Sequence, residues 1–187
     1  MSTEVHESTE AHESTEVREM LAPVQEQAQQ APPQVSPEVI EVAIGLARVF
    51  GELDEEAAYK YVAADFVDHE ASPGVAGGPE GYVSTARYMR SAFSEARWQA
   101  DDFIAVGDKF AVRVTFSGRH TGDFLGVPPT GNEVNVQHLH FYRIANGQAA
   151  EHWGARDELT LLRQIGVFTP VHATPADAGW AVHTAGR

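Results

Sequence analysis

Gly118-Arg-His-Thr-Gly-Asp-Phe-Leu-Gly-Val-Pro-Pro-Thr-Gly131 leads into Val134-Asn-Val-Gln-His-Leu-His-Phe-Tyr-Arg143, then Ala145-Asn-Gly147 and Glu151-His-Trp153. Four glycines and two prolines, with Thr121, make the first run a shaped turn, which His120 is expected to hydrogen-bond. The second run alternates. In a strand it places Val134, Val136, His138, His140 and Tyr142 on one face, and Asn135, Gln137, Leu139, Phe141 and Arg143 on the other. Asn146-Gly147 is a hairpin turn signal, and Gly107-Asp108 is another. Strands are therefore expected at about 97–106, 109–118, 133–144 and 148–155. On the last of these His152 shares a face with Gly154.

Helical patterns flank this region. Ser36-Pro37 is a start signal, with Val39, Ile40, Ala43, Ala47 and Phe50 recurring on one face. Asp54 can cap a second helix that buries Ala57, Ala58, Tyr61 and Val62. Gly77-Gly78-Pro79 opens a third, with Tyr82, Ala86, Met89 and Phe93 along one stripe. Asp157 is placed to cap a last helix and Gly166 to end it. The order helix, helix, short strand, helix, four strands, helix suits an α+β fold. In it a bent antiparallel sheet, packed on one side by helices, leaves a funnel in which a small molecule can sit.

The chain of 187 residues is expected to hold one domain, at 36–168, between an acidic leader and an irregular tail. Val5-His-Glu-Ser-Thr-Glu10 and Ala11-His-Glu-Ser-Thr-Glu16 form a tandem repeat, and residues 1–35 carry seven acids against one arginine. Such a composition reads as disordered. Residues 169–187 show no clear period. There is no cysteine, which excludes disulfides, thiolate zinc sites and cysteine nucleophiles. A net charge of −14 repels phosphate backbones and argues against a nucleic-acid partner. No apolar run reaches the ~18 residues of a membrane span, and no secretory signal is seen, so a cytoplasmic protein with no membrane partner is expected.

The motif order from Gly118 to Gly166, and more loosely from Val39, resembles the SnoaL-like polyketide cyclase (ester cyclase) family of the NTF2-like class. The resemblance implies a cone-shaped α+β fold around a central pocket and a small, largely apolar polyketide substrate. It also implies catalysis without a cofactor and pairing of two copies through the sheet. It makes His138 and His140 cavity-facing positions, the second occupied by histidine in the founding cyclases. It sets His69, within Asp68-His-Glu70, near the pocket mouth. The family's acid–base aspartate directly follows the tryptophan; here that position is Gly154.

His138, His140 and His152 can then converge, and with His69 they are the candidate catalytic groups. An imidazole with an ordinary pKa of about 6.5 exchanges protons near neutrality, so a rate profile breaking at about 6 to 7 is expected. Gly154 is expected to open space beside them. Trp98, Phe124, Trp153, Tyr82 and Tyr88 are candidate substrate-binding surfaces. Asp157 reads as a helix cap rather than a substitute acid. Three histidines could also ligate a metal, but no carboxylate stands in register with them, and neither metal nor cofactor is expected. The activity expected is ring closure in polyketide-type natural-product biosynthesis, by histidine acid–base help or by the shape of the cavity. A hydroxylase or epoxide-opening relative and a non-catalytic small-molecule binding module are the alternatives.

Overall fold

Ser36 starts the first helix as expected: its Oγ accepts the Glu38 N–H at 3.2 Å, with Pro37 in the first turn. The computed structural model describes residues 36–71 and 74–168; the leader at 1–35 and the tail at 169–187 lie outside the described residues. Helix α1 spans Pro37–Glu52 and buries Val39, Val42, Leu46 and Val49. This is not the stripe the periodicity suggested, because Ile40 is 38% exposed and Ala47 faces outward. Ile40, Ala43, Ile44 and Ala47 make the helix apolar nearly all round. Period alone therefore does not choose its buried side, and packing against the neighbouring elements does. Asp54 caps α2, Glu55–Tyr61, accepting the Ala57 N–H at 3.0 Å. The chain then passes without a loop into β1, Val62–Asp68.

Helix α3, Gly78–Ala92, buries Tyr82, Val83 and Ala86. Four strands follow: β2, Phe93–Val106; β3, Lys109–His120; β4, Glu133–Ala145; and β5, Gln148–Arg156. Positive φ at Gly107, Asn146 and Gly147 closes the hairpins where the sequence marked them. Strand β2 begins four residues earlier than the pattern indicated. Register shifts between Ser94 and Arg97, and again between Ala100 and Asp102, break its alternation and bend it. The sheet order is β1-β5-β4-β3-β2. All pairs are antiparallel except β1 with β5, which is parallel. That one departure from an all-antiparallel sheet decides the composition of the site.

The 120–131 loop is tied to the end of α3. The N–H groups of Thr121 and Gly122 both donate to the Ala92 carbonyl at 2.9 Å. Gly122 is required there, since a Cβ would lie 2.0 Å from the Ser91 carbonyl oxygen. Beyond β5, Asp157 accepts the Thr160 N–H at 3.0 Å and caps α4, Glu158–Gln164. The Gln164 carboxamide bonds both the N–H and the carbonyl of Asn135, at 2.8 and 3.0 Å, and so docks α4 on β4 as a strand would.

The core has two parts. One gathers α1, α2, β1 and the middle of α3 around Phe110, Tyr142 and Ile144. The other gathers Phe93, Phe116, Val134 and Val136 with Leu161 and Ile165 of α4. On β4 the residues between them are His138 and His140. The polar groups therefore stand where the apolar core is interrupted. Among the described residues no helix is long and apolar enough to cross a membrane.

Candidate active site

Strand β4 carries His138, His140 and Tyr142 on the face turned to the helices, with His138 3% and Tyr142 6% exposed. Opposite them on β5 stand Arg156, Gly154 and His152 respectively. The parallel pairing brings Asp68 of β1 beside His152. A chain of hydrogen bonds results. His152 Nδ1 lies 2.8 Å from Asp68 Oδ1, and His152 Nε2 lies 3.0 Å from His140 Nδ1.

Charges set the direction of this chain. Burial raises the Asp68 pKa, but the hydrogen bond and field of His152 and the Glu70 N–H at 3.0 Å outweigh it, leaving the carboxyl below its ordinary value. Burial lowers the His140 pKa, and the fields of His152, Arg156 and His138 lower it further against the opposing Asp68. His138 falls to about 4, from burial and then Arg156. In the tautomer that satisfies all three groups, His152 donates its Nδ1–H to Asp68 and accepts from His140 Nδ1–H. The lone pair left over is on His140 Nε2.

The space expected at Gly154 is not there. A Cβ at that position would meet His152 Cε1 at 3.1 Å and His140 Nδ1 at 3.4 Å. The two imidazoles, joined to each other, occupy the room beside the backbone where the family's aspartate would start. Among the described residues no group of three or more acids and histidines could hold a metal ion.

Tyr82 and Tyr142 share a buried hydroxyl contact at 3.0 Å. Burial pushes Tyr142 up to about 12 and Tyr82 well above its ordinary value, so both stay protonated. Trp98 lies on the same side of the sheet, edge-on to Phe50 at 5.5 Å and against Phe116 at 4.9 Å. The other candidates are elsewhere. His69 stacks flat on Trp153, 4.5 Å between ring centres, and its Nε2 meets Glu151 at 3.2 Å. That pair sits on the outer face of the sheet, away from the histidine chain. Tyr88 and Phe124 stack at 5.8 Å under the 120–131 loop, where Tyr88 Oη accepts the Leu125 N–H. His120 is fully buried and accepts the Thr130 N–H on Nδ1 at 3.3 Å, holding the turn.

Two concavities adjoin these residues. One of about 110 Å³ opens between β1 and the start of α3, onto Phe66, Asp68, Tyr82 and Thr85. A larger groove of about 460 Å³ lies on the outer face of the sheet, walled by Ile104, Leu139, Phe141 and Trp153, with Val112, His140 and Gly154 at its floor. Asp68, Tyr142 and Arg156 are the site groups that sequence reasoning missed. Asp68 was visible only as the neighbour of His69, and a parallel β1–β5 pairing would have been needed to find it.

The buried neutral histidines also make the fold acid-sensitive. His138 titrates at about 4 when folded and near 6.5 when unfolded, so the unfolded chain binds the extra proton between those values. Its contribution is intact above pH 6.5 and is lost as pH falls from there toward 4. Stability should drop by about 1.4 kcal/mol per pH unit for this group. Urea unfolding at pH 7 and pH 5 measures the slope, which His138→Gln should flatten; an unchanged slope in that variant rules out His138 as the source.

The family model described as SnoaL-like polyketide cyclase matches residues 40–165. Aklanonic acid methyl ester cyclase DnrD of Streptomyces peucetius is 29% identical over 104 residues, 55% of this chain and 68% of that one. Nogalonic acid methyl ester cyclase of Streptomyces nogalater is 28% identical over 123 residues, 65% and 88% of the two chains. Among solved structures, TsrD from Streptomyces laurentii superimposes with a TM-score of 0.65 at 29% identity, over 70% of this chain and 96% of that one.

Proposed function

The chain belongs to the SnoaL-like polyketide cyclase family, and on that premise we propose that it closes a ring in a polyketide intermediate by an intramolecular aldol reaction with His140 as the base. The observation that carries the reading is the chain Asp68–His152–His140, with a free lone pair at its end. His140 Nε2 removes a proton from the carbon beside a carbonyl. The enolate forms a carbon–carbon bond to a second carbonyl, and the same proton returns to the new alkoxide. Mass and oxidation level are unchanged, so the reaction needs no cofactor.

The linked imidazoles supply what the missing aspartate would have supplied. As His140 takes a proton on Nε2, its Nδ1 proton can move to His152, and the Nδ1 proton of His152 toward Asp68. The positive charge then ends beside a carboxylate instead of in the apolar core, which offsets the low basicity burial gives His140 alone. Exposed Ile104, Leu139 and Phe141 on the outer face support the further reading that two copies pair there.

The test is incubation of the full chain with nogalonic acid and with its methyl ester, followed by mass spectrometry in heavy water. A product of unchanged mass, once its exchangeable hydroxyls are returned to ordinary water, is expected. A gain of one oxygen would replace the cyclase with a hydroxylase, and binding without conversion would replace it with a carrier.

A further inference from the structure

Five arginines among the described residues are half-buried, and four of them have partners. Arg90 donates to the Phe50 carbonyl, Arg113 to Asp101, Arg119 to Glu133 and Arg143 to Glu151. For Arg156 there is no hydrogen bond or ion pair among the described residues. It is also the one of the five on the inner face of β5, directly opposite His138 and two residues beyond Gly154. The backbone there is pinned by the Asp157 N–H to the Gln137 carbonyl at 3.1 Å, so the guanidinium cannot leave by a shift of the strand.

The field of Arg156 reaches the Asp68 carboxylate and lowers its pKa, yet no hydrogen bond joins the two; a half-buried guanidinium whose N–H groups meet no acceptor among the described residues is costly. Its charge reaches both inner-face histidines, lowering His138 and His140 alike. Neither imidazole can accept its protons as an ionised group would. The group that matches a guanidinium is a planar carboxylate, which takes two parallel N–H bonds.

We propose that Arg156 binds the carboxylate of the substrate, so that this enzyme takes a free polyketide acid, unlike the two relatives above, whose names specify methyl esters. The proposal rests on the pocket assignment under Proposed function. It adds the side chain that distinguishes acid from ester.

Binding of two probes tests it: anthraquinone-2-carboxylate and its methyl ester, titrated against the full chain by tryptophan fluorescence quenching at pH 7.5. The acid should bind at least tenfold more tightly than the ester. Arg156→Gln should erase that ratio by weakening acid binding, and Arg156→Lys should keep part of it; thermal melts confirm that both variants fold. Equal binding of acid and ester by the wild type, no binding of the acid, or a preference that survives Arg156→Gln would each overturn the proposal. Ring closure is measured separately. An acid preference that depends on Arg156 in a protein that closes no ring leaves this site standing and removes the cyclase; ring closure without the preference does the reverse.

Discussion

His140→Ala is expected to lower the rate of ring closure by about 10²–10⁴, the range a positioned general base supplies. Among the described residues nothing else on the inner face presents a lone pair backed by an acid: His138 has no carboxylate partner there, and Tyr82 and Tyr142 stay protonated. The pH dependence should differ from that of a free imidazole. A base works above its own pKa, and burial has moved that of His140 down. Activity should therefore stay level from pH 8 through 6 and fall only in more acid solution, rather than breaking at about 6 to 7 as an exposed histidine would. Gln137→Ala, on the outward face of the same strand, is the control and should leave the rate unchanged. If His140→Ala retains activity within about threefold, shape and not proton transfer drives the closure.

Asp68→Asn is expected to cost about 10²-fold in kcat with little change in KM. The amide is nearly isosteric and can still accept the Nδ1–H of His152, so the geometry at 2.8 Å survives. The charge that holds the incoming proton does not. In serine proteases the corresponding replacement behind a single histidine costs about 10⁴ in kcat. Here two imidazoles separate the carboxylate from the substrate, and a smaller effect follows. Asp68 does not touch the substrate in this scheme; it is a positioning residue, and the split between kcat and KM tells it from a structural one. The acid limb of the rate profile should also move lower, because His140 loses the one field that raises it. Asp68→Glu should restore part of the rate. A variant that changes only stability or KM would return Asp68 to a purely structural role.

Local chemistry was legible in the sequence, and long-range chemistry was not. Ser36, Asp54 and Asp157 cap helices because a short polar side chain meets the free N–H groups two or three residues on, and that is written in adjacent letters. The hairpins at Gly107 and Asn146-Gly147 are local in the same sense. Period-two alternation put His138 and His140 on one face, since the β3–β4–β5 ladder runs unbroken through them. Alternation stops at the strand ends. His69 lies one residue past β1, so it follows Trp153 on the outer face while Asp68 turns inward. That Arg156 makes no hydrogen bond among the described residues could not be read at all, because it is a property of every neighbouring side chain at once.

The parallel attachment of β1 has a kinetic meaning. Strands β2 to β5 follow one another along the chain and can zip by successive hairpins, none closing more than the loop at 121–132 between β3 and β4. Asp68 and His152 are 84 residues apart, and β1 is an edge strand whose register with β5 is interrupted between Val62 and Val67. Their contact waits for the longest loop closure in the sheet, and an edge so loosely laddered is among the first parts to open in local fluctuations. The four-stranded meander can thus be complete, with both imidazoles in place, while the carboxylate is still adrift. In the order of assembly, the fold comes before the enzyme, and on gentle unfolding the enzyme goes first.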